Sequence, residues 1–348
     1  MTQRIVIFRA LMLGDLLCAT PTLRAIRHAH PQAQIALVGL PAIRALVERL
    51  DSVDELIEFP GWPGLPEQPL TDPQVLPGFL AQMQARHFDW ALQLHGSGPT
   101  VNPLVLSFGA RHSAGFATGS SWPGLPEAQH FIQWPEHGPE VQRLLALTDH
   151  LGWARQGTQL DYPLKDLDFN EARELLRPLQ GQPFVIVHPG SQLPSRRWPI
   201  ERFAQVARSL AEQNLGLVLS GTPGESELTQ TLAAQVQRPV LNLTGQTSLW
   251  TLGALIQLAR GVVCNDTSLS HIASAVGTPS VVISNGGDAL RWSPPNTERH
   301  QVLWRDLPCR PCAHTHCPHD QACARAVPVD AVRHAAQRLF GLTSFKTA

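Results

Sequence analysis

A chain of 348 residues with 43% hydrophobic and 16% charged residues carries enough apolar material for two buried cores, which excludes a disordered chain. Its net charge of −1 and sequence pI near 6.9 create no global field that would draw it onto nucleic acid or an anionic bilayer, so an anionic partner needs local basic clusters. The opening apolar run Ile5–Phe8 is too short for a secretory signal and no uncharged apolar stretch reaches about 18 residues, so the expected location is cytoplasmic.

In chain order, Arg4–Phe8 reads as a strand and Arg9–Gly14 as a loop. A helix follows to about His28, stopped by Pro31, and Ile35–Val38 is the next strand. Strand, helix, strand at this spacing is a βαβ unit with a parallel sheet. Pro60–Pro77 and Gly119–Pro139, rich in Pro, Gly and Trp, read as long surface loops, with a strand at Trp90–Leu94 between them.

The second half repeats the grammar. Strands are expected at Phe184–Val187, Leu215–Leu219, Val240–Leu243, Gly261–Cys264 and Ser280–Ile283. Helices are expected at Pro199–Asn214, Ser226–Gln235, Ser248–Ala259 and Thr267–Val276, the last stopped by Gly277 and Pro279. The boundary falls in Leu160–Gln180, giving an N-terminal domain 1–165 and a C-terminal domain 166–348 that includes the Cys-rich segment 309–323. Ligands of open α/β sheets bind at the carboxyl ends of the strands, so two such domains are expected to share a cleft there.

Four loops that follow strands hold the candidate residues. Asp266, Thr267 and Ser268 open a helix whose first N–H groups and positive dipole suit a diphosphate, with His271 one turn on; simple N-capping is the other reading. Ser191, Gln192 and the adjacent Arg196 and Arg197 precede a helix, where guanidinium groups can grip phosphate or merely form a solvated turn. Asp15, after Gly14 at the end of the first strand, is either a general base or a helix cap. Glu225 is either a ribose acceptor or a first-turn acid that favours the helix dipole.

Cys309, Cys312, Cys317 and Cys323, with His314, His316 and His319, are of types that bind zinc, but their spacing is not that of a standard motif; packed or redox-labile thiols are the alternative to a structural metal. Crowded cysteines in so large a chain do not read as a disulfide framework. No G-x-G-x-x-G follows the first strand, no P-loop occurs, and no D-x-D pair follows a strand. A nicotinamide cofactor, a P-loop nucleotide and a metal-bridged diphosphate are therefore not expected.

Leu13–Ala25 resembles the opening of glycosyltransferase family 9, the ADP-heptose:lipopolysaccharide heptosyltransferases. Arg196-Arg197-Trp198-Pro199, Asn265–Pro279, Trp292-Ser293-Pro294 and the Cys309–Cys323 cluster follow in that family's order. The resemblance implies a GT-B architecture of two facing Rossmann-like domains with parallel sheets. It implies inverting transfer of a heptose or related sugar from an ADP-sugar donor to an anionic, lipid-linked, lipopolysaccharide-core-type glycan, with no cofactor or metal required.

By motif position Asp15 would be the general base, Arg196 would contact the donor phosphates, and Asp266, Thr267, Ser268 and His271 would hold the diphosphate and sugar. Glu225 would hold the ribose, with Thr247 near the adenine. Arg9, Arg24, Arg27 and Arg111 are candidate acceptor contacts, and association with the cytoplasmic face of the inner membrane would be peripheral. Three departures stand out: Arg196 where the family has Lys, Ser268 where it has Gly, and Ser284–Asp288 in place of its Gly-Pro-Thr turn. Rival readings are a nucleotide-sugar epimerase of the same fold and a catalytically degenerate glycan-binding homologue.

Overall fold

The computed structural model describes residues 2–119 and 128–343. The chain divides into two compact units, Met1–Pro163 and Leu164–Ala348. Residues 344–348 of the expected C-terminal domain lie outside the described residues, as do residues 120–127 of the expected Gly119–Pro139 loop.

The first unit is a six-stranded sheet of β1 (Arg4–Phe8), β2 (Gln34–Gly39), β3 (Glu55–Glu58), β4 (Trp90–Gln93), β5 (His112–Ala117) and β6 (Phe131–Gln133), in the order β3-β2-β1-β4-β5-β6. Every pairing is parallel. The second comprises β7 (Phe184–His188), β8 (Gly216–Leu219), β9 (Leu241–Asn242), β10 (Gly261–Asn265), β11 (Ser280–Ile283) and β12 (His300–Leu303), ordered β12-β11-β10-β7-β8-β9 and again all parallel. Counted within its own unit, the second sheet has the order of the first. Both are doubly wound Rossmann-like sheets, and the order reverses between β1 and β4 and between β7 and β10.

The central strands are buried on both faces, as parallel strands under helices must be: every residue of β7 and β10 is buried. The helix Leu13–Ala29 runs through Pro21, which cannot donate to the Leu17 carbonyl. Thr20 Oγ1 donates to that carbonyl at 2.8 Å instead, which explains why the helix survives its proline. In the second unit, Trp198 anchors the core at 1% exposure, edge-on to Phe203 and donating from Nε1 to Val327 O at 3.1 Å. Removing such a ring costs about 3–5 kcal/mol.

Several elements differ from the sequence reading. Val75–Ala85 is helical and begins inside the expected Pro60–Pro77 loop. Strand β6 lies within the expected Gly119–Pro139 loop. The boundary stretch Leu160–Gln180 contains the helix Asp166–Leu176, whose Glu171 accepts from Thr251 Oγ1 at 2.6 Å. Strands β3, β5 and β12 and the helices Glu140–His150 and Val329–Phe340 also lack a sequence expectation. The unforeseen strands carry His, Glu or Gln, and all but β5 have four residues or fewer, which weakens a hydrophobic signal.

Candidate active site

In the first unit, Arg9 follows β1 at the point where strand order reverses and is 1% exposed. Its guanidinium donates from Nε and Nη2 to Asp15 O at 2.9 and 2.7 Å, from Nη1 to Leu94 O, and from Nη2 to Glu140 Oε1 at 3.2 Å. It thereby ties the loop after β1 to the loop after β4. The expectation that Arg9 touches an acceptor is corrected: it is a buried tether. Arg24 is committed to Asp161, Gln156 O and Gln159 O, and Arg27 to Asp54 and Ala33 O. Arg111 pairs with Asp89 at 3.4 Å while its side chain stays 79% exposed.

Asp15 occupies the first turn of Leu13–Ala29 and is half-buried. Its Oδ2 accepts from Met12 N at 3.2 Å, so the capping role is present. Accepting a backbone N–H does not stop a carboxylate from accepting a proton, so the cap and a base role are compatible. Across the switch point, His95 Nδ1 accepts from Ala10 N at 3.2 Å. Burial pushes the His95 pKa down to about 3, and the Arg9 charge adds to the effect, so the ring is neutral at ordinary pH.

In the second unit, three loops at the carboxyl edge are stitched together by one buried amide. Asn265 is 0% exposed. Its Oδ1 accepts from Trp198 N at 2.9 Å and Asn285 Nδ2 at 3.4 Å, while its Nδ2 donates to Pro189 O at 2.8 Å and Gly190 O at 3.2 Å. The loops after β7, β10 and β11 are thus held as one surface. Arg196 lies on it: Asn285 Nδ2 donates to Arg196 O at 3.2 Å, and Arg196 Nη2 donates to Cys312 O at 3.1 Å. Arg197 spends Nε and Nη2 on Ser191 O at 3.1 and 3.0 Å and so closes its own loop. Ser191 is buried and Gln192 exposed.

Thr267 caps the helix Ser268–Ala275 with extended backbone and makes no side-chain cap bond. Asp266 Oδ2 accepts from Ser284 Oγ at 3.0 Å. Ser268 is half-buried, and His271 is buried with its ring 6.4 Å from Trp292. Glu225 Oε2 accepts from Thr222 N and Oγ1 at 2.8 and 3.0 Å, a cap on its own turn. Its Oε1 stands only 2.0 Å from where a Cβ on Gly190 would be, so glycine is what lets this carboxylate approach the loop after β7. His188, the last residue of β7, pairs with Ser220 Oγ at 3.1 Å, and burial lowers its pKa. Thr247 is half-buried, just before Ser248, which caps the helix Leu249–Leu258.

Two buried donor atoms at this edge have no hydrogen-bond partner: Arg196 Nε and Thr267 Oγ1. Buried polar atoms are otherwise almost always paired, so both call for a partner, and Thr267 stands at the N-cap of the Ser268 helix, where an anion is favoured. Arg196 and Asp266 both meet the Ser284–Gly287 loop, and Glu225 lies against Gly190 in the loop of Ser191. Asp15 belongs to the first unit.

The Cys-rich segment does something the sequence did not reveal. Its four thiols are free, and among the described residues no three His, Cys, Asp or Glu side chains form a metal-binding group. Its backbone instead straps the loops: Cys312 N donates to Gly286 O at 2.8 Å and Ser195 N to Thr315 O at 3.1 Å. Asn265, Ser284 and Arg310 were missed because their roles come from long-range bonds that leave no local spacing signal.

A model of glycosyltransferase family 9 (heptosyltransferase) matches residues 79–323. Lipopolysaccharide heptosyltransferase 2 of Escherichia coli (strain K12) is 26% identical over 314 residues, covering 86% of this chain and 88% of that protein. Among solved structures, a glycosyl transferase family 9 protein from Veillonella parvula superposes with TM-score 0.72 at 21% identity, covering 86% of this chain and 85% of the other. The E. coli ADP-heptose lps heptosyltransferase II gives TM-score 0.70 at 20% identity, covering 97% and 98%.

Proposed function

The chain belongs to glycosyltransferase family 9, and we propose that it transfers a heptose or closely related sugar from an ADP-sugar to a lipopolysaccharide-core-type glycan. One observation carries the donor half: Arg196 Nε and Thr267 Oγ1 are buried donors without a partner, and Thr267 is the N-cap of Ser268–Ala275, where a helix favours an anion such as a diphosphate. Relatives supply the ADP-heptose and lipopolysaccharide terms by their names. In this reading Ser191 and Gln192 add donors, Glu225 holds the ribose, Thr247 borders the adenine, and Asp266 with His271 holds the sugar.

Transfer is a single displacement with inversion. Asp15 accepts the proton of the acceptor hydroxyl as that oxygen attacks the anomeric carbon. The C–O bond to the diphosphate breaks, and ADP leaves with its charge met by Arg196, Ser268 N–H and the helix dipole rather than by a metal ion. The reading requires Asp15 to reach the acceptor hydroxyl while the second unit holds the donor. No helix among the described residues is long and apolar enough to cross a membrane, so contact with a lipid-linked acceptor on the cytoplasmic face of the inner membrane would be peripheral.

The deciding experiment pairs Asp15→Asn with calorimetric ADP binding and a transfer assay. Transfer is expected to fall at least ~100-fold, within the range assigned to a general base, with ADP affinity unchanged. Transfer within a few-fold of the parent refutes the base assignment. EDTA is expected to leave the parent rate intact, and a restored requirement for Mg²⁺ refutes the leaving-group account.

A further inference from the structure

The stretch Ser284–Asp288 is where the Cys-rich segment grips the site. Arg310 lies in that segment, between Cys309 and Pro311. Its Nη1 donates to Ser284 O at 2.7 Å, and its Nη2 donates to Gly287 O at 2.8 Å and to Ser284 Oγ at 3.3 Å. The guanidinium also stacks over Trp304, 5.4 Å from the ring centroid. Ser284 Oγ, accepting from Arg310, donates onward to Asp266 Oδ2 at 3.0 Å. On the other side, a Cβ at Gly287 would come within 3.1 Å of the same Oδ2, so the glycine leaves the carboxylate room that a side chain would crowd.

We infer that Arg310 and Ser284 are positioning residues that hold Asp266 in the orientation needed to engage the sugar of the nucleotide-sugar donor. The physical reason is directional. A hydroxyl that accepts from a cation donates more strongly, and its bond to Oδ2 sets the plane of the Asp266 carboxylate. Ser284 is 0% exposed, so water does not compete at the hydroxyl that links the two. Arg310 makes all its loop contacts through a rigid fork, which a lysine cannot reproduce. The inference rests on the proposed reading that Asp266 meets the donor sugar.

The test is a binding cycle on the full-length protein by calorimetry, with ADP and ADP-heptose as the two probes and no acceptor present. Arg310→Met is expected to weaken ADP-heptose by about tenfold, the worth of one bond to a charged group, while changing ADP less than ~2-fold. Ser284→Ala, which deletes one hydroxyl, should show the same selective loss and carries the test if Arg310→Met does not fold. In an Asp266→Asn background neither substitution should weaken ADP-heptose further, because the group they position is gone. A purely structural role predicts equal losses for both probes and losses that persist in that background; either result overturns the inference. Full ADP-heptose affinity in Asp266→Asn alone overturns the donor reading with it. A loss there alongside normal binding in Arg310→Met and Ser284→Ala overturns only the positioning role.

Discussion

Glu140→Ala should be the most damaging change in the first unit short of a core aromatic. The side chains of Arg9 and Glu140 are 0% and 1% exposed and meet at 3.2 Å. Deleting the carboxylate takes away a countercharge from a cation that has no access to water. Breaking a buried pair by removing one member costs about 3–5 kcal/mol. In a unit of 163 residues, each kcal/mol moves the melting point by roughly 2–4 °C, so a drop of about 6–20 °C is expected. The damage reaches the candidate base as well, because the same guanidinium holds the Asp15 carbonyl through two bonds. Calorimetric melting of Glu140→Ala, Arg9→Met and the double variant Arg9→Met/Glu140→Leu separates the effects. The double variant should melt above either single one, because no buried charge is left alone. Its transfer rate should stay low, because the tether on Asp15 is missing. Single variants that melt within ~1 °C of the parent would refute the claim that this pair organises the switch point.

Gly190→Ala should lower the melting point by only a few degrees, because its Cβ meets the far end of the Glu225 side chain at 2.0 Å and displacing that carboxylate gives up its cap on Thr222, worth about 0.5–2 kcal/mol. It should nonetheless weaken ADP at least about tenfold if that displaced carboxylate holds the ribose, and unchanged ADP affinity by calorimetry would remove Glu225 from the site. Stability should fall as pH drops from about 6.5 towards 5, above the range in which ordinary carboxylates titrate. The cause is that burial holds His95 at about 3 and His300 at about 4 in the folded protein. The unfolded chain takes up these protons first, so the stabilisation is present in full above the unfolded value and is lost on acidification. Urea midpoints at pH 7 and 5.5 check the sign, and His95→Gln with His300→Gln should flatten the slope.

The amino-acid sequence by itself determined the alternation of strand and helix, the location of the loops that follow the central strands, and the family. The reason is that buried parallel strands must be short apolar runs, and Ile5–Phe8, Phe184–Val187 and Ser280–Ile283 announce themselves as such. The Asn265–His271 loop was legible for a similar reason, since capping residues after a strand mark a helix mouth in any context. Strands without a clean apolar run, such as His112–Ala117 and His300–Leu303, were not legible, because pairing in the sheet rather than local pattern makes them strands.

Only the tertiary structure decided which charged groups are available. Arg9 and Arg111 look alike as letters, yet one is walled into a network at 1% exposure and the other has a side chain 79% exposed. Arg310 and Ser284 lie 26 residues apart, yet one chain of hydrogen bonds links both to Asp266. Hydrogen bonds and desolvation depend on distances across the folded chain, and spacing along the sequence does not encode them.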